Sequence, residues 1–91
     1  MVIPRRHVES VFDLASDELI QLWDKVRVVR TILKEQFHPD AFNIGINDGE
    51  AAGQTVQHAH IHVIPRFIGD VPDARGGVRW IIAEKAVYWP R

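Results

Sequence analysis

The segment His58-Ala59-His60-Ile61-His62-Val63 constrains this chain more than any other, because imidazole and apolar side chains alternate along it. In an extended strand successive side chains point to opposite faces, so His58, His60 and His62 line one face at roughly 6–7 Å intervals while Ala59, Ile61 and Val63 face a core. In a helix only His58 and His62 would align, and Pro65 opposes a helix there. The pattern predicts a strand over Val56 to Pro65. A sheet face meant for solvent would use Lys, Glu or Thr, and one meant for a core would be apolar. An all-imidazole row suits neither, which leaves chemistry or a metal as its reason.

The rest of the chain supplies a scaffold for such a strand. Leu19, Leu22, Trp23, Val26, Val29, Ile32 and Leu33 recur at three and four residues, predicting an amphipathic helix from Asp17 to about Gln36. Ser16 is its expected N-cap, Asp17 and Glu18 suit the positive end of the dipole, and His38-Pro39 marks the far limit. Ala41 to Asn47 alternates Phe42, Ile44 and Ile46 with small or polar residues, a strand with one buried face, and Asp48-Gly49 brings turn chemistry. Met1 to His7 reads as a short extended piece that Pro4 confines to an edge. Gly69 to Gly77 reads as loop, and Val78 to Ile82 as a short strand or extended arm. The expected architecture is therefore α+β, one domain over 1–91, with one long helix packed on an antiparallel sheet of three to four strands.

Composition narrows the function. With 91 residues, 46% of them hydrophobic, the chain suits one small domain near the marginal end of independent stability, which a second subunit would support. It has no cysteine, which excludes a disulfide framework and thiolate chemistry and points to a cytoplasmic home. No apolar run approaches the length of a membrane span, and the start leads into polar sequence rather than a signal-peptide core. A formal net charge of −1 argues against a nucleic-acid polymer as partner but not against a single nucleotide.

Imidazole can attack through one nitrogen while the other donates to a backbone carbonyl, and it can donate hydrogen bonds to an oxyanion. Both jobs fit phosphate chemistry. Just upstream, the small-residue loop Gly49 to Thr55 offers N–H groups, the Gln54 amide and the Thr55 hydroxyl as partners for phosphate oxygens.

Taken together, Asn43 to Gly49, then Gly53-Gln54-Thr55-Val56-Gln57, the triad with its following apolar pair, and Pro4-Arg5-Arg6-His7 upstream resemble the histidine triad (HIT) superfamily of nucleotide hydrolases and transferases. The resemblance implies that His60 is the nucleophile, attacking a nucleotide α-phosphorus to give a nucleotidyl-imidazole that water then cleaves. It implies that His62 contacts the same phosphate, that His58 and His7 hydrogen-bond to each other and orient the site, and that Asn47, Gly53, Gln54 and Thr55 bind phosphate. The run Gly45-Ile46-Asn47-Asp48-Gly49 and the tail Gly69 to Val78 look most like the bacterial relatives of dinucleoside polyphosphate hydrolases. The resemblance implies an α+β homodimer needing no cofactor, and it places a helix and strands before the Pro-Arg-Arg-His segment that this sequence does not show.

Three other readings share these residues. The same four histidines serve relatives that cleave nucleoside phosphoramidates. A nucleotide-binding protein without turnover would keep the loop and the triad. His-X-His-X-His joined by His7 would suit a zinc-binding module, although no carboxylate lies near the triad in sequence. Trp23 and Val26 are expected in the core or a subunit interface, and Trp80 and Trp89 are expected to pack in preference to covering a nucleotide.

Overall fold

Leu19, Leu22, Val26, Val29 and Leu33 form the inward stripe of helix α1 (Ser16–Phe37) in the computed structural model, which describes residues 1–90. Leu22 and Val26 are fully packed, each worth roughly 1.5–3 kcal/mol of burial. Trp23, expected in the core or a subunit interface, is not in the core of this chain but 45% exposed on the helix. The cap differs by one residue as well, since Ala15 occupies it and Ser16 is already helical. Ala15 has no side-chain acceptor, and the end is held from the other direction: the Glu18 carboxylate accepts from the Ala15 N–H at 3.0 Å. Arg6 grips the same carboxylate at 2.9 and 3.0 Å, which ties the helix start to the N-terminal segment. At the far end His38 turns left-handed (φ 50) and its N–H returns to the Lys34 carbonyl, after which Pro39 bars another turn.

Strands β1 (Ala41–Gly45) and β2 (His62–Arg66) pair antiparallel, with Phe42 opposite Pro65, Ile44 opposite Val63, Asn43 opposite Ile64 and Gly45 opposite His62. Because directly paired residues share a face, Phe42, Ile44 and Val63 lie toward α1, and Asn43, Gly45, His62 and Ile64 form an open face. The core continues through Ala59 and Ile61 to Val2, Val8, Val11 and Leu14, so the N-terminal segment and the histidine segment close on the same apolar centre.

The expected sheet of three to four strands is corrected to two. The N-terminal segment does run beside the histidine segment, through reciprocal Val2–Ile61 backbone bonds of 2.8 Å and Ala59 N–H to the Val8 carbonyl at 2.7 Å. It stops short of a strand because Pro4 has no N–H to extend the ladder, and its carbonyl is taken by the His58 ring. Residues 56–60, read as part of a strand, are consequently irregular, and β2 begins at His62. The alternation survives without the ladder, since Ala59, Ile61 and Val63 are all buried.

Val78 to Ile82 is not a strand either. Gly76 (φ 88) and Gly77 (φ 48) turn the chain into a 3-10 helix over Gly77–Ile81, followed by another over Ala83–Lys85. This tail packs on itself: the Trp80 indole N–H donates to the Arg75 carbonyl at 2.6 Å, and the guanidinium groups of Arg75 and Arg79 lie over Trp89 and Tyr88. Trp80 and Trp89 thus make their contacts within the tail. Its entry is fixed by Arg66, which donates twice to the Asp70 carboxylate at 2.7 Å and also reaches the Asn43 side-chain oxygen.

Candidate active site

His7, His58, His60 and His62 come together where the N-terminal segment meets the start of β2. His7 and His58 face each other through their Nδ1 atoms at 3.3 Å, with rings edge to face at a centroid distance of 4.8 Å. His60 and His62 repeat that arrangement at 4.9 Å. The site is thus two imidazole pairs, set on one side of a backbone whose other side is core.

Carbonyl oxygens only accept, and that assigns the ring protons. His58 Nε2 lies 3.0 Å from the Pro4 carbonyl and must donate to it, so in the neutral ring Nδ1 is an acceptor and His7 Nδ1 donates to it. His60 Nδ1 lies 2.9 Å from the His58 carbonyl and donates in turn, so in the neutral ring the lone pair is on Nε2. His60 is only 9% exposed, its ring held by packing and by this bond. The backbone of the first triad residue therefore sets which ring nitrogen of the second is turned away from the main chain. The Pro4 carbonyl has no signature in sequence, because its partner His58 lies 54 positions away.

The loop before the triad departs from expectation at Gly53 and Gln54. Gln54 is buried, its Oε1 accepts from the Gly49 N–H at 2.9 Å, and its amide donates to the Glu9 and Val56 carbonyls at 2.8 and 2.9 Å. Its backbone N–H is bonded to the Gly49 carbonyl, and that of Gly53 to the Glu50 carbonyl. With both amide hydrogens and the carbonyl engaged, the Gln54 side chain is a brace that ties the loop to Glu9 rather than a free phosphate contact. Gly53 (φ 97) supplies the left-handed turn that lets the loop close. Asn47 and Thr55 are exposed, and neither side chain makes a hydrogen bond among the described residues, which leaves both available to a ligand.

Two carboxylates on the neighbouring elements are tied to arginines. Hydrogen bonds from Arg6 and from the Ala15 N–H keep the Glu18 carboxyl below the usual range, and hydrogen bonds from Arg66 and the Phe67 N–H push Asp70 far below it. Among the described residues no three His, Asp or Glu side chains gather as a metal-holding group.

A helix-backed antiparallel strand pair with two imidazole pairs at its mouth gathers four histidines into one site. The family model described as the HIT domain matches residues 1–69, and the chain belongs to that family. It is 48% identical over 70 residues to an asymmetrical bis(5'-nucleosyl)-tetraphosphatase of Schizosaccharomyces pombe, covering 77% of this chain and 38% of that protein. It is 42% identical over 66 residues to a bis(5'-adenosyl)-triphosphatase of Dictyostelium discoideum, covering 72% of this chain and 44% of that one. Among solved structures, a zinc-bound histidine triad protein of Mycobacterium smegmatis superposes with a TM-score of 0.67 at 34% identity, covering 92% of this chain and 66% of that chain. The chain spans less than half the length of the two curated relatives. No helix among the described residues is long and apolar enough to cross a membrane.

Proposed function

We propose that this chain carries the reaction centre of a hydrolase that splits nucleotide phosphoanhydrides of the dinucleoside polyphosphate class, with His60 as nucleophile. The observation that carries the reading is the 2.9 Å bond from His60 Nδ1 to the His58 carbonyl, which leaves the Nε2 lone pair unspent beside His62. In the first step Nε2 bonds to the α-phosphorus while the anhydride P–O bond breaks, and the leaving polyphosphate keeps the electron pair. In the second step water adds to phosphorus, the P–N bond breaks with its electron pair returning to His60 Nε2, and the mononucleotide keeps the water oxygen while the proton passes to solvent. A polyphosphate is already stable as an anion, so positioning and oxyanion contacts carry the rate and a strong general acid is not required.

In this reading His62 donates to the phosphate oxygens, while the His7–His58 pair holds the His58 backbone that orients His60. Asn47 and Thr55 contact the phosphate chain, and Gln54 and Gly53 keep the loop in shape. The names of the relatives, both enzymes acting on dinucleoside polyphosphates, support this substrate class over phosphoramidates. A homodimer in the cytoplasm needing no cofactor fits a small domain without cysteine.

The test is release of AMP and ATP from diadenosine tetraphosphate by wild type and His60→Asn, each with and without a chelator. Chelator-insensitive release by wild type alone supports the proposal. Chelator-sensitive release points to a metal site, and tight AMP binding without turnover points to a nucleotide-binding role.

A further inference from the structure

The open face of the sheet extends beyond the histidines. Along β2, Ile64 follows His62 on that face, and across from them on β1 stand Asn43 and Gly45. The first 3-10 turn of the tail lies over this face, with Val78 and Ile81 as its opposing wall. Between them runs a cleft of about 490 Å³ that has Asn47 and His62 in its lining and does not include His60. That size falls within the range of small-ligand sites. The family match ends at residue 69, so this wall comes from outside the shared part of the chain.

Two features make the cleft a receiving space. Gly45, the register partner of His62, leaves the floor open, for a Cβ there would meet nothing within 4 Å. Val78 and Ile81 are 57% and 87% exposed, so neither serves the core, yet both are held at the rim by a turn fixed through the Trp80–Arg75 bond and the Arg79 bond to the Lys85 carbonyl at 2.7 Å. Apolar side chains held in water on a fixed turn, facing Ile64 across a gap, suit a flat apolar group that displaces that water.

Displacement at phosphorus sets the nucleophile and the leaving oxygen on opposite sides. In the reaction proposed above His60 attacks while His62 and Asn47 hold the phosphate chain, and both of these line the mouth of the cleft, on the side left to the departing half. Resting on the hydrolase reading above, we propose that the cleft between Ile64 and Val78–Ile81 is the subsite for the leaving nucleoside, and that these side chains set the preference for a leaving group that carries one.

Diadenosine tetraphosphate and ATP test this directly, because both give the same adenylyl-histidine but release ATP and pyrophosphate respectively. We expect wild type to favour the dinucleotide in kcat/KM. The doubly substituted Val78→Ser, Ile81→Ser protein should lower that preference by on the order of 10-fold, with turnover of ATP little changed. Gly45→Leu, which fills the floor, should erode the same preference. An unchanged preference in the double variant, or equal losses on both substrates, overturns the subsite. If wild type turns over neither compound, the hydrolase reading fails on its own, and calorimetry with methylene-bridged analogues of the two compounds decides the cleft. Tighter binding of the dinucleoside analogue that is lost in the double variant supports the subsite, and equal binding of the two analogues overturns it.

Discussion

The His60 ring is oriented by the backbone of His58, whose carbonyl accepts from His60 Nδ1 at 2.9 Å, so one triad residue sets the proton position on the next. The bond predicts a specific tautomer. Long-range proton–nitrogen NMR on ring-labelled protein should find neutral His60 protonated at Nδ1 and neutral His58 protonated at Nε2. A His60 ring protonated at Nε2 in the free protein would contradict the arrangement.

His60→Ala and His62→Ala separate the two halves of the proposed chemistry. Removing one oxyanion donor typically costs about 100- to 1000-fold in turnover, which is the loss expected for His62→Ala. His60→Ala should lose more, because no bond to phosphorus can form. Single-turnover measurements on diadenosine tetraphosphate read both, and turnover at the wild-type rate from either variant would remove that residue from the mechanism.

Gln54→Ala tests a brace. The change leaves the Gly49 N–H and the Glu9 and Val56 carbonyls without their partner in a part-buried setting. Leaving a buried polar group unsatisfied costs about 1–3 kcal/mol. Urea unfolding should show a loss of at least that size, whereas a stability equal to wild type would mean that the loop holds its shape by other bonds.

Asp70→Asn should matter only where Asp70 is charged. Its carboxyl is held well below the ordinary value of 3.8 by hydrogen bonds from Arg66 and the Phe67 N–H, so the stability it adds is complete above that value and fades as pH falls through the depressed one. Thermal melts of wild type and variant should therefore differ by a constant amount near neutral pH and converge in strong acid. A difference that widens on acidification would reverse the sign and defeat the assignment.

Gly76→Ala should loosen the tail. Gly76 has φ 88, and an added Cβ would sit 3.0 Å from the Trp80 indole nitrogen and 3.2 Å from the Trp89 ring. Holding a non-glycine residue in such a region costs on the order of 1–3 kcal/mol. Limited proteolysis should cut between residues 70 and 90 sooner than in wild type, with the helical circular dichroism of α1 unchanged.

Much of this was legible in the sequence because it depended on periodicity. The three-and-four spacing from Leu19 to Leu33 gave α1 within a residue of its ends, and the alternation from Ala59 to Val63 gave the buried side of the histidine segment. What could not be read depended on partners far along the chain. Nothing local says that Pro4 lends its carbonyl to His58, that Gln54 is spent on Glu9, or that Gly76 closes on Trp80 and Trp89. The same dependence explains the missing strand, since pairing is decided by whether a neighbour can donate, and Pro4 cannot. Ser16 was the better N-cap by propensity, but Arg6 and Glu18 fixed the helix start at Ala15.

His7 and His58 are separated by 51 positions in the chain. Closing so long a loop has an entropic cost that is met only once the intervening helix and hairpin have packed, whereas α1 can form from neighbouring contacts. The imidazole pairs are therefore expected among the last features to assemble. In a refolding experiment the return of catalysis would trail the return of helical signal, which makes activity a readout of complete closure.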